Sequence, residues 1–214
     1  MMARTVDLPD SLPLFPLAGA VLMPRMRLPL QIFEPRYLQM VEDALRTPER
    51  LIAMIQPAEN SHNGLAQIGC AGRIVSFTEL EDHRMMIALR AVSRFRLVEA
   101  EESFAPYLRG RADWQGYASD LGPRPETVGE GYDRREMISR LARYAERRGL
   151  TTDWNAAETS DDEMLVNSLS MLLPFAPEEK QALLECPTLD ARRQLLDGLL
   201  EYALRGGNDE ETIQ

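Results

Sequence analysis

With 214 residues, 44% of them hydrophobic and 27% charged, the chain is long enough to close a substantial core as one large domain or two small ones. The formal net charge is −10, divided as −2 over residues 1–120 and −8 over residues 121–214. That balance argues against a phosphate-binding surface in the second half, because neutralising a nucleic-acid backbone needs clustered cations.

Cys70 and Cys186 form no CxxC pair, so a zinc site built on cysteine is excluded, and two cysteines in a chain of this length are no disulfide framework. Both read as buried thiols of a reducing compartment. Lys180 is the one lysine among 24 basic residues, so any chemistry that requires a lysine must use it. Residues 12–23 are apolar enough to imitate a signal-peptide core. Pro13, Pro16 and Pro24 interrupt that run, Asp7 and Asp10 precede it, and only Arg4 supplies positive charge. No apolar stretch approaches the ~20 residues of a membrane span. A cytoplasmic protein with no membrane association is expected.

In chain order, residues 1–10 read as a disordered lead. Leu12, Leu14, Phe15 and Leu17 suggest a short strand, and Pro13 and Pro16 within it suggest an edge strand or a bulge, since proline donates no ladder bond. Met26, Leu28 and Leu30 alternate with Arg27, Pro29 and Gln31, the period-two pattern of a half-buried strand. Pro35 suits the first position of a helix, and Leu38, Val41 and Leu45 continue at helical spacing to Thr47-Pro48. The continuous apolar run 51–55 fits a strand covered on both faces. Residues 68–80 and 84–98 are rich in β-branched and aromatic side chains, with a hairpin turn at Glu81-Asp82-His83. In the second of these strands Ile87, Leu89, Ala91, Phe95 and Leu97 share a parity, which puts Arg90, Arg94 and Arg96 on the other face. A further strand is expected over 107–114.

Gly122, Pro123, Pro125, Gly129 and Gly131 then break regular structure over 119–131. Four helices are expected beyond: 133–148, one opened by a capping box at Ser160 and Glu163 and running to Leu173, one from Pro177 to before Pro187, and a last one with Thr188 as N-cap that ends at Gly206-Gly207. Strands with one inserted helix, followed by helices only, make an α+β chain rather than alternating βα units.

Sequence motifs for catalysis are sparse. Gly64 and Gly69 have P-loop spacing, but Cys70 stands where the lysine would be. GxGxxG and GxSxG are absent. His62 and His83 lie in polar loops, and Glu79, Glu81, Asp82 and His83 read as a hairpin tip rather than metal ligands. Asp161-Asp162-Glu163 reads as favourable charge at a helix N-terminus. Lys180, flanked by Glu178 and Glu179, is expected to stay charged, which is wrong for a general base. No cofactor, no metal and no catalytic set are expected, and hence no enzyme.

Two constellations remain. Arg90, Arg94 and Arg96, with Arg73, Arg109 and Arg111, could form a basic face for an acidic peptide or RNA, or could pair with the chain's many acids. Phe33, Glu34, Arg36 and Tyr37 could form the lip of a groove, with apolar contacts from the rings and a polar anchor from Arg36. They could equally form a strand-to-helix junction with the aromatics in the core.

The runs Leu12-Pro13-Leu14-Phe15-Pro16-Leu17, Val21-Leu22-Met23-Pro24, Leu28-Pro29-Leu30 and Phe33–Tyr37 resemble the Lon protease N-terminal (substrate-binding) domain, most closely its stand-alone bacterial members. Ile68-Gly69, Val92-Ser93-Arg94-Phe95, Leu173-Pro174-Phe175 and Glu179-Lys180-Gln181 extend the resemblance over roughly residues 10–205. It implies a PUA-like β-barrel, here over 10–118, followed by a helical subdomain over 132–206; the breakers read as a linker or long loop over 119–131, and residues 207–214 read as a disordered acidic tail. The resemblance also implies a non-enzymatic module that recognises client polypeptides, by unfolded or exposed apolar segments, for a protease or chaperone partner. The ATPase and Ser–Lys peptidase of Lon are separate downstream modules whose motifs do not occur here, so proteolysis is not carried over. PUA-like barrels elsewhere bind RNA, which makes an RNA-binding module the second reading.

Overall fold

The computed structural model describes residues 8–206 apart from 60, 62, 102–103, 123–125 and 152–153. His62, the lead before residue 8 and the acidic tail over 207–214 therefore lie outside the described residues. The chain forms a mixed α/β fold with two compact units, the first made of Met1–Pro123 with Pro174–Leu184, the second of Arg124–Leu173 with Glu185–Gln214.

The first unit is built on a six-stranded sheet. Its strands are β1 (Ser11–Pro16), β2 (Arg27–Ile32), β3 (Leu51–Ile55), β4 (Ile68–Glu79), β5 (Met85–Glu101) and β6 (Arg109–Asp113), in the order β2-β5-β4-β3-β1-β6. β6 also pairs with β5, so the ladders through β4, β3, β1 and β6 return to the strand they left. Leu12, Leu14, Ala53, Ala71, Phe95, Leu97 and Ala112 pack together in one buried cluster. Among the strands, β3 is buried along its whole length, as its unbroken apolar run requires.

β1 departs from the expected edge strand, because it has neighbours on both sides. Ser11, Leu12 and Pro13 pair antiparallel with β6, while Leu14, Phe15 and Pro16 pair parallel with β3. The two ladders are staggered, and that stagger accommodates the prolines. Leu14 N–H reaches Leu108 O at 2.9 Å and Leu17 N–H reaches Ile55 O at 3.0 Å, so successive amides alternate between the neighbours. The nitrogen of Pro13 faces β3 before that ladder begins, and that of Pro16 faces β6 after that ladder has ended. Neither proline deletes a bond.

α1 (Pro35–Leu45) starts with Pro35 in its first turn, and the amides of Tyr37 and Leu38 close onto Glu34 O. Its inner face carries Tyr37, Met40, Val41 and Ala44, and it packs on β1 and β3. Gln56 is 2% exposed and ties three segments together. Its Oε1 accepts from Gly19 N–H at 2.9 Å, and its Nε2 donates to Pro177 O at 2.9 Å and Gln181 Oε1 at 3.1 Å. Gln181 Nε2 in turn donates to Ile68 O at 2.9 Å. The Pro177 helix is thereby sewn to the sheet.

The second unit holds α2 (Arg134–Arg148), α3 (Trp154–Thr159), α4 (Asp162–Leu172) and α6 (Leu189–Gly206); the intervening α5 (Pro177–Glu185) belongs to the first unit through Leu184. α6 packs on α2 and α4. Asp133 caps α2 by accepting from the amides of Arg135 and Glu136, and Gly149, at φ 62, ends it in the left-handed region that glycine tolerates. α4 is capped by Asp161, which accepts from Met164 N–H at 2.7 Å, rather than by Ser160. Ser160 instead finishes α3, its amide bonded to Ala156 O at 3.1 Å. α3 itself, only six residues long, has no expectation behind it in the sequence.

Candidate functional site: two recesses and a divided basic face

The Phe33–Tyr37 constellation divides on folding. Tyr37 is 7% exposed, and its ring lies 4.5 Å from that of Phe15, so it belongs to the packing under α1. Burial pushes its hydroxyl pKa up. Phe33, immediately before the helix, is 64% exposed. Arg36 stacks over the Tyr37 ring at 4.5 Å and is held by Glu34 at 2.8 Å. The motif thus divides into a buried Tyr37 at the junction and an exposed Phe33.

Arg36 and Tyr37 line a recess of about 430 Å³ together with Pro16, Pro106, Tyr107 and Leu108. Two prolines, two tyrosine rings and a guanidinium make its walls amphipathic. Tyr107 donates to Asp43 Oδ2 at 2.9 Å. Burial, then the bond to Asp43, pushes its hydroxyl pKa up, so at neutral pH it stays a protonated donor.

The expected basic face is not one face. Ala71 pairs with Ser93 and Gly72 with Ala91, which leaves Val92 as an extra residue in β5. An extra residue reverses the alternation of everything beyond it. Arg90 therefore points to the side opposite from Arg94 and Arg96. Arg96 is exposed and donates to Gln67 Oε1 at 3.0 Å. Arg94 is turned inward, 1% exposed, and bound at two points to Asp120. Arg109 and Arg111 are engaged too, with Ser11 and Glu99 respectively.

Within the second unit lies a cavity of about 360 Å³ with an apolar lining that includes Leu141, Leu150, Ala157, Leu165, Leu169 and Leu173. At its border Met164 is 50% and Leu172 78% exposed. Exposed methionine and leucine thus stand beside an apolar hollow. No residue of this cavity was a sequence candidate. The available signal was the surplus of apolar residues in α4, too many for one buried stripe.

The family model described as the ATP-dependent protease La (LON) substrate-binding domain matches residues 11–201. The chain belongs to that family. Relatives include Lon protease 2 of Myxococcus xanthus, 28% identical over 201 residues that cover 91% of this chain and 24% of the relative. Lon protease 2 of Sorangium cellulosum is 30% identical over 118 residues, covering 52% of this chain and 15% of the relative. The chain thus spans about a quarter or less of the length of these curated relatives. Among solved structures, a Lon N-terminal domain protein from Xanthomonas campestris superposes with a TM-score of 0.61 at 24% identity, covering 88% of this chain and 97% of that one. The N-terminal domain of Mycobacterium avium complex Lon protease gives a TM-score of 0.63 at 15% identity, covering 90% and 97%. These likenesses establish the fold.

Lys180, flanked in sequence by glutamates, is 8% exposed, and burial pushes its pKa down. The helix turns Lys180 inward, while Glu178 is exposed and Glu179 is half-buried and accepts from Ala176 N–H at 2.8 Å. His83 sits exposed in the 3-10 turn Glu81–His83 at the hairpin tip. Among the described residues no three His, Cys, Asp or Glu side chains converge as a metal site, and no helix is long and apolar enough to cross a membrane.

Proposed function

We propose that this chain is a non-enzymatic polypeptide-recognition module that takes exposed apolar segments of client proteins, in the service of a protease or chaperone partner. The observation that carries this reading is the apolar cavity of the helical unit, bordered by exposed Leu172 and Met164. Membership of a substrate-binding family supports it. The circular strand pairing of the first unit supports a PUA-like barrel as the scaffold. The recess beside Arg36 and Tyr37, with Phe33 outside it, supplies a second contact, where Glu34 orients the guanidinium.

An aliphatic side chain in water loses its hydration cost on entering a hollow already lined by leucines, at about 25 cal/mol per Å² buried. The hollow discriminates by exposure of such side chains and not by sequence, which suits unfolded clients. A fluorescently labelled, neutral, leucine- and phenylalanine-rich peptide tests it. Met164→Asp/Leu172→Asp should weaken binding by about tenfold or more, about 1.4 kcal/mol or above, with thermal stability nearly unchanged. Unchanged affinity in a folded double variant would overturn the assignment.

A further inference from the structure

Three arginines from three strands stand side by side on one face of the sheet. Arg27 of β2 lies opposite Arg90 of β5, and Arg90 lies opposite Arg73 of β4. Residues directly opposite in an antiparallel ladder share a face, and neighbouring strands are about 4.8 Å apart, so the row spans about 10 Å at the backbone. Arg27 and Arg90 are exposed and Arg73 is half-buried. None of the three side chains makes a hydrogen bond or ion pair with a described residue, in a chain with 34 acidic side chains. Like charges directly opposite each other destabilise a sheet, and here that arrangement occurs twice in succession. The next two cross-strand rows on the same face, ending at Gln31, Met86 and Thr78, contain no acidic residue.

We propose that this row binds an acidic polypeptide segment, whose carboxylates bridge the guanidinium groups and relieve their repulsion. The inference rests on the polypeptide-recognition reading and names one class of client. Guanidinium forks match carboxylates bidentately. A nucleic acid fits less well, since its phosphates continue past a three-residue row onto a molecule of net charge −10. The segment crosses the face and does not add a strand at the edge. Ala91 N–H bonds to Met26 O, which directs the even-numbered residues of β2 toward β5 and Pro29 toward the open edge, where it offers no donor.

The test uses the full chain and three fluorescent probes: a peptide of alternating Glu and Ser, the neutral leucine- and phenylalanine-rich peptide, and a short single-stranded RNA. Arg27→Gln/Arg73→Gln/Arg90→Gln should weaken the acidic peptide by about tenfold or more and flatten its salt dependence, with the apolar peptide unaffected. Arg90→Gln alone, which removes the centre of the row, should raise the melting temperature of the free protein while weakening the acidic peptide. Equal affinity of wild type and triple variant for the acidic peptide would overturn the proposal. So would tighter binding of the RNA, lost in the triple variant. If the wild type holds the apolar peptide and not the acidic one, this inference falls and the proposed function stands; if it holds neither, both fall.

Discussion

Arg94 and Asp120 grip each other at two points in the interior of the sheet unit. Arg94 Nε donates to Asp120 Oδ2 at 3.0 Å and Nη2 to Oδ1 at 2.9 Å, with the side chains 1% and 0% exposed. The Arg94 amide donates to the same carboxylate at 2.9 Å, and Nη1 reaches Leu184 O at 3.2 Å. One buried pair thereby joins β5, the 3-10 turn Ala118–Leu121 and α5. Burial opposes the Arg94 charge, and the Asp120 carboxylate outweighs it, leaving the guanidinium pKa above its ordinary value.

Removing one partner of such a pair strands the other charge. Asp120→Ala should cost about 3–5 kcal/mol, whereas the paired change Arg94→Met/Asp120→Leu should cost much less, because an apolar pair of similar volume avoids the desolvation of both ions. Urea unfolding of the two variants checks this. Equal losses would show that the pair acts through shape and not through charge.

Phe33 and Tyr37 are four residues apart and should behave in opposite ways. Tyr37→Ala removes a ring that packs on Phe15 and lines the recess beside Arg36, and should cost about 3 kcal/mol as well as weaken client binding. Phe33→Ala removes an exposed ring and should change stability by less than about 0.5 kcal/mol. Peptide titrations beside thermal melts separate the two. A stable Tyr37→Ala protein would contradict the packing described for α1.

Lys180 gives a pH-dependent signature. Burial lowers its pKa below the ordinary 10.5, so the unfolded chain holds this proton more tightly than the folded one. Folding then releases a proton between the depressed pKa and 10.5, and this group's contribution to stability rises with pH across that window. Lys180→Met lacks this titration, so its stability should change less with pH across that window. Denaturant unfolding at pH 7 and above pH 10.5 would reveal it, and an unchanged pH dependence in Lys180→Met would refute it.

Much of the fold was legible because local chemistry and tertiary packing agree there. Pro35 with Leu38, Val41 and Leu45 reads as α1, the apolar run 51–55 reads as a two-sided strand, and the turn at Glu81–His83 reads as a hairpin. What escaped depends on pairings that periodicity does not contain. The extra residue Val92 reverses the alternation in β5, so arginines that share parity in the sequence do not share a face. The row Arg27, Arg90 and Arg73 exists only through register, across 64 positions of sequence. Pro13 and Pro16 argued for an edge that the stagger of two ladders made unnecessary. The cavity beside Leu172 needed the packing of separate helices, which no single stripe discloses.

Recognition of polypeptides by their exposed apolar side chains is best tested by equilibrium binding of one fluorescently labelled protein in two forms, folded and permanently unfolded by reduction and alkylation. The unfolded form should bind saturably, near micromolar or about −8 kcal/mol. The folded form should bind at least about tenfold more weakly, and the difference should vanish in Met164→Asp/Leu172→Asp. Equal affinity for the two forms, or binding of neither, would contradict such recognition.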